Sequence, residues 1–329
     1  MNISDNQAKA KYELFCKKTY IPIFSKSWWM DAVCGEDQWN AFVFESGGNL
    51  LCAMPYYIEE RNGFKILTKA RHTQNNGIIF NYPTHQNQKY CSKLDFEEKC
   101  INATCDYIES LNIDKYEQQY HYSVVNWLPF KWRGYSEMLR YTYVIEDTSD
   151  MTKIESNFSY EIRNQIRKAE KFVTVAEDLD IDTFYEVNRK TYLRQGIEPP
   201  YSLNWLKRLD SACKKHNCCK NFYAIDNEGN IHSVVYIVWD EQSVYYLLSG
   251  SDPDFRSSQA NSLLIREAIR YANNLSLKFD FEGSVIKSIE HMVRAFGGVQ
   301  KPYFRIYKKF NETMDDNLVN HWSNDAVIK

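Results

Sequence analysis

Residues 243–284 read SVYYLLSGSDPDFRSSQANSLLIREAIRYANNLSLKFDFEGS, and their periodicities decide the fold. SVYYLLSGSD has the composition of a strand, QANSLLIREAIRYANNL (259–275) repeats apolar residues at helical spacing, and FDFEGS (279–284) is a short strand again. A strand joined through a helix to the next strand of its sheet lies parallel to it, because the helix carries the chain back along the sheet. Upstream, NFYAIDNEGN and IHSVVYIVWD join SVYYLLSGSD in a three-strand meander with turns at Asn-Glu-Gly-Asn and Asp-Glu-Gln. The spacing thus predicts a mixed sheet. It continues into a helix, IEHMVRAF, stopped by Gly297-Gly298, and a last strand, KPYFRIYKK.

Before the meander, Ser159 is placed to cap YEIRNQIRKAEK, and FVTVAED, DTFYEVNRKTYLRQ and SLNWLKRLDSACKKH follow as a strand and two helices. The first half has the same order. A helix (SKSWWMDAVCG) precedes the hairpin WNAFVFES/NLLCAMPYYIEE, FKILTKA and GIIF; a helix over 95–111 and alternating runs in YEQQYHYS and YSEMLRYTYVIE come next. No residue-level repeat is visible, yet the architecture is duplicated. The expected fold class is α+β with mixed sheets, in two domains spanning 1–150 and 151–310, with a polar acidic tail over 311–329.

Composition narrows the function. With 329 residues, 44% hydrophobic and 15% aromatic, the chain can fill two cores, so disorder is excluded. Forty basic against 43 acidic residues (net −3) argue against a duplex-DNA binder. No run approaches a membrane span and the first residues lack a signal-peptide core, so a cytoplasmic location is expected. Nine scattered cysteines without a C-x-x-C pair read as reduced thiols; Cys213, His216, Cys218 and Cys219 lack the second paired half of a zinc site, and no metal is expected.

Several strings resemble the GNAT acyltransferase superfamily, in its FemAB-like branch with two tandem domains. Arg163-Asn164-Gln165-Ile166-Arg167-Lys168-Ala169 resembles the R-x-x-I-R-K-A helix that opens the branch's second domain. Phe279–Ser284, Phe296-Gly297-Gly298 and Pro302-Tyr303-Phe304-Arg305-Ile306 resemble its F-D-F-E-G-S…F-G-G…P-Y-x-R-I ending, and Trp29, Met54-Pro55-Tyr56 and Thr73–Ile78 its looser N-terminal pattern. The resemblance implies two tandem GNAT-like acyltransferase domains. The activity implied moves an acyl group from a small-molecule or carrier-bound donor (acyl-CoA, acyl carrier protein or aminoacyl-tRNA) to an amine or hydroxyl of a cell-envelope or polysaccharide precursor. Acyl-CoA would be a co-substrate, with no cofactor held tightly. A non-catalytic binding protein that retains the fold is the competing class. Where many relatives carry R/Q-x-x-G-x-G/A for the CoA pyrophosphate, this chain has Arg256-Ser257-Ser258-Gln259-Ala260-Asn261, with neither glycine.

The resemblance places the donor along Ser249, Gly250, Arg256, Ser257, Ser258 and Gln259. It places the acceptor near Tyr192, Gln195 and Tyr201, which border the loop GIEPPY, and near Tyr303 and Arg305. Arg163 and Arg167, four apart on one helix face, suit a phosphate or carboxylate, and also suit a solvated basic face. Strand alternation puts Asp280 and Glu282 on one face, opposite Phe279 and Phe281. Both carboxylates are catalytic candidates, with Glu282 the first choice for a general base and Asp280 deeper; the alternative pairs Asp280 with Arg305 or Arg256 and has Glu282 cap the following helix.

Overall fold

The computed structural model describes residues 5–83 and 89–315. They form two compact units, one built from residues up to Arg140 together with the stretch from Pro302, the other from Tyr141–Lys301. The division falls ahead of residue 150, and the last strand among the described residues passes from the second unit into the first at Pro302. From 316 onward the expected acidic tail lies outside the described residues.

In chain order the first part carries α1 (Asp5–Cys16), α2 (Ser27–Cys34), β1 (Trp39–Ser46), β2 (Asn49–Arg61), β3 (Phe64–Thr68), β4 (Ile79–Phe80), α3 (Tyr90–Ser110), β5 (Lys115–Gln119), α4 (Leu128–Trp132) and β6 (Ser136–Ile145). The rest carries α5 (Met151–Asn157), α6 (Tyr160–Ala169), β7 (Thr174–Glu177), α7 (Ile181–Leu193), α8 (Leu203–Lys215), β8 (Cys219–Ile225), β9 (Ile231–Trp239), β10 (Ser243–Ser251), α9 (Ala260–Leu275), β11 (Lys278–Asp280), α10 (Lys287–Arg294) and β12 (Val299–Lys309).

Each unit holds an antiparallel meander followed by a helical crossover into a parallel strand. In the first, β1, β2 and β3 pair in turn and α3 leads to β5, parallel to β3 through Ile66 with Lys115 and Leu67 with Tyr116. In the second, β8, β9 and β10 pair in turn and α9 leads to β11, parallel to β10, while β7 adds an antiparallel strand outside β8. The strand that follows each crossover has been traded. α4 leads into β6, yet the antiparallel partner of β5 is β12; α10 leads into β12, yet the antiparallel partner of β11 is β6.

Burial follows the alternation. In the second unit Phe279, Phe281, Val235, Ile237 and Val244 pack with Ile162 and Ile166 of α6 and Leu264, Ala268 and Ile269 of α9. Tyr236, next to Val235 and Ile237, turns to the other face and meets Phe184 of α7 with ring centroids 5.7 Å apart. Helices therefore cover both faces of this sheet. In the first unit Cys100, Ile101, Cys105 and Ile108 of α3 pack on Met54, Leu67 and Tyr116. Among the described residues no helix is long and apolar enough to cross a membrane, and no group of three or more His, Cys, Asp or Glu side chains is arranged to hold a metal.

Candidate acyl-transfer site

The second unit opens a cleft edge in its sheet. β10 and β11 pair only across Ser243–Tyr245 and Lys278–Asp280, after which β11 ends and β10 continues to Ser251. Along that continuation the register with β9 shifts between Tyr246 and Leu248, so Leu247 is an extra residue of the kind that re-aims a strand's backbone. Backbone N–H groups on such an edge are donors already in place for a carbonyl oxygen that gains charge during acyl transfer.

α7 grips the far end of β10. The buried Asn188 donates from Nδ2 to the Ser249 carbonyl at 2.7 Å, and its Oδ1 accepts the Tyr201 hydroxyl. Thr191 Oγ1 accepts from the Ser251 N–H at 2.9 Å, and Lys190 pairs with Asp252. Tyr192 stands perpendicular to Tyr201 with centroids 6.4 Å apart, and burial pushes its hydroxyl up to about 12. Gln195 turns its Nε2 to the Thr191 carbonyl at 3.0 Å. Tyr192, Gln195 and Tyr201 thus converge beside the strand end that carries Ser249 and Gly250. The residue that links them, Asn188, was missed in the sequence; its signal was a polar side chain on the helical stripe Phe184, Val187, Asn188, Thr191.

Between β10 and α9 the chain makes a 3-10 turn, Pro253–Ser258, and Gln259 adopts a left-handed conformation (φ 61°) immediately before the helix. Ser258 and Gln259 spend their side chains on this turn: Ser258 Oγ donates to the Phe255 carbonyl at 2.8 Å and Gln259 Nε2 to the Arg256 carbonyl at 3.4 Å. Phe255 stacks on His232 at 4.4 Å between centroids and within 9° of parallel, which seats the turn. Arg256 and Ser257 remain exposed, and Arg256 makes no ion pair among the described residues. Replacing Arg256 with Ala is expected to weaken binding of an anionic donor by about tenfold, the scale of one charge-assisted contact, with the melting temperature unchanged. Equal affinity in a titration of the two proteins would move the donor's anionic group elsewhere.

The two arginines of α6 do not act as a pair. Arg163 Nη1 donates to the Ser156 and Phe158 carbonyls at 3.0 and 2.7 Å, closing the end of α5, while the exposed Arg167 bonds Asn164 Oδ1 at 3.0 Å. Gln165 is what α6 brings to the start of α9, accepting from Ser262 Oγ at 2.6 Å. Tyr303 and Arg305 lie on β12, in the first unit, where Arg305 pairs with Glu117 at 2.7 Å.

Asp280 closes the end of β11. It is 1% exposed, accepts the Thr142 hydroxyl from β6, and accepts the Glu282 N–H at 2.8 Å on the same Oδ1. The strand alternation expected to carry Glu282 onto the face of Asp280 stops short, because β11 ends at Asp280 and Glu282 turns left-handed at φ 61°. Asp280 holds that turn, and Glu282, half-buried, lies two residues past the end of β11. Gly283 follows at φ 55°, its Cα so close to β6 that an added Cβ would lie 2.0 Å from the Tyr141 carbonyl oxygen.

The family model for an acetyltransferase (GNAT) domain matches residues 156–285, the stretch from α5 through the Glu282 turn. Among solved structures, FemX superposes with a TM-score of 0.67 at 12% identity, covering 95% of this chain and 98% of its own. A tandem GNAT protein from the clavulanic acid biosynthesis pathway superposes at 0.52 with 7% identity, covering 92% and 95%. The C-terminal domain of a putative lysylphosphatidylglycerol synthetase from Agrobacterium fabrum does so at 0.55 with 8% identity, covering 92% of each chain. No curated protein matches the sequence. Residues 156–285 thus match the acetyltransferase (GNAT) domain family, and the chain shares the fold of FemX and of a tandem GNAT protein.

Proposed function

We propose that this protein transfers an acyl or aminoacyl group from a carrier to an amine or hydroxyl of a cell-envelope or polysaccharide precursor. The observation that carries the reading is the parting of β10 and β11, with Glu282 two residues past the end of β11 and α7 holding the open edge in place. There the acceptor's nucleophile attacks the donor carbonyl, its proton passes to the Glu282 carboxylate, and the bond from the acyl carbon to the carrier breaks. The carrier then takes up the proton. Glu282 supplies the base and the unpaired stretch of β10 the donors for the oxyanion.

The exposed Arg256 and Ser257 suit a donor with an anionic group near its acyl end. A loop without glycines, two of whose side chains bond its own carbonyls, is a poor cradle for a pyrophosphate held by backbone N–H groups. This favours aminoacyl-tRNA or acyl carrier protein over acyl-CoA as the donor. Among the fold relatives one is named a putative lysylphosphatidylglycerol synthetase and another was crystallised without AcCoA, so both classes belong in the test. The nine free cysteines, Cys91 exposed among them, support a reducing, cytoplasmic location.

The test offers the full chain labelled acyl-CoA, acyl carrier protein and aminoacyl-tRNA in turn, with an extract of envelope precursors, and follows label into product by intact mass. Transfer from one donor class is expected. Tight binding of a precursor without transfer from any donor would instead make this a binding protein on an acyltransferase fold.

A further inference from the structure

The outward face of α6 carries exposed cations between exposed aromatic rings. Ile162, Ile166 and Ala169 are buried on one side of the helix, against the core. Tyr160, Asn164, Arg167 and Lys168 recur at i, i+4, i+7 and i+8, so they share the opposite stripe, about 12 Å long, and Lys171 lies in the turn that follows the helix. Tyr160 is 72% exposed, and Phe172, in the turn that follows the helix, is 54% exposed. Arg167, Lys168 and Lys171 are exposed and form no ion pair among the described residues. The helix's own acids are engaged elsewhere: Glu170 binds Arg266 at 2.6 Å, and Glu161 accepts from Gln165 at 3.1 Å.

A stripe of three unneutralised cations bounded by two exposed aromatic rings stands out on a chain whose net charge is −3. Cations are attracted to the surface of an anionic bilayer, and aromatic rings settle at the level of its headgroups. We propose that the Tyr160–Phe172 face of α6 docks the protein on a membrane surface rich in anionic lipid. Docking deepens the reading of an envelope-directed transferase and rests on it for its purpose, since an envelope precursor is met at such a surface. The binding itself needs neither donor nor acceptor.

The test is co-sedimentation of the full chain with phosphatidylcholine vesicles, with and without phosphatidylglycerol, in the absence of any acyl donor or acceptor. A failure here is then distinguishable from a failure of transfer. The chain is expected to partition onto the phosphatidylglycerol vesicles, to leave neutral ones in the supernatant unbound, and to be released by salt. The doubly substituted Lys168→Glu, Lys171→Glu chain should lose partitioning on the order of 30-fold or more, given the contribution of each cation at such a surface. Tyr160→Ser with Phe172→Ser should remove the part of the binding that resists salt. All four side chains project into solvent, so melting temperatures should match the parent, and transfer to a water-soluble acceptor should be unchanged. Equal partitioning on both vesicle types, undiminished binding by the Lys168→Glu, Lys171→Glu chain, or binding of RNA with none of vesicles would each overturn the proposal.

Discussion

Glu282→Gln is expected to lower acyl transfer by about 10²-fold or more at an unchanged melting temperature, the scale of losing a general base. The substitution keeps the side chain's length and leaves untouched the backbone N–H that the residue gives to Asp280. What it removes is the capacity to take the proton from the attacking amine or hydroxyl. Asp280→Asn should behave in the opposite way. That carboxylate is buried and accepts from both the Thr142 hydroxyl and the Glu282 N–H on one oxygen. An amide cannot serve both donors with a charged acceptor, and a loss of about 2 kcal/mol is expected, with a lowered melting temperature. Residual transfer by Asp280→Asn should then track the folded fraction. Full activity in Glu282→Gln across the pH range, or a loss explained by unfolding alone, would make the residue part of the turn and send the search for the base to the tyrosines beside α7 or an ordered water.

Gly250→Ala should be among the most damaging single methyls in the second unit. A Cβ there would lie 2.4 Å from Asn188 Cα, 2.9 Å from Asn188 N and 3.1 Å from the Val187 carbonyl oxygen. All three are backbone atoms of α7, which cannot yield as the tip of a side chain can. Either the helix or the strand must move, and movement breaks the Asn188–Ser249 and Thr191–Ser251 bonds together. A destabilisation of about 4 kcal/mol is expected, in the range reserved for overpacked sites with a lost polar network. Transfer should fall with it, since the Tyr201 hydroxyl is held by Asn188. A Gly250→Ala protein with the parent's melting temperature and activity would show that β10 and α7 are free to separate.

Much of this arrangement was legible in the sequence. Trp39–Ser46 and the start of the next strand at Asn49 fall where the alternation and Gly47-Gly48 put them, and the parallel step from β10 to β11 follows from the helix between them. The trade of β6 for β12 was not legible, because the order of elements along the chain is the same whichever sheet the last strand joins. Helix α5 was not foreseen, since MTKIESN buries only Ile154 and offers no periodic stripe; its visible mark is Asp150, which caps it. At the site, the carboxylates of FDFEGS were found by their type, but their orientation depends on a left-handed residue that is not glycine, which alternation does not anticipate.

The exchanged strands also bear on biosynthesis. A ribosome delivers the first unit's meander, α3 and β5 long before it delivers residues 305–309, the partners of Gln119 through Lys115. Until then β5 carries an unpaired edge, the kind of edge that recruits strands from other chains. Early termination anywhere before β12 should therefore yield a sticky fragment rather than a free-standing N-terminal domain, and splitting the gene between the two halves would produce two incomplete sheets.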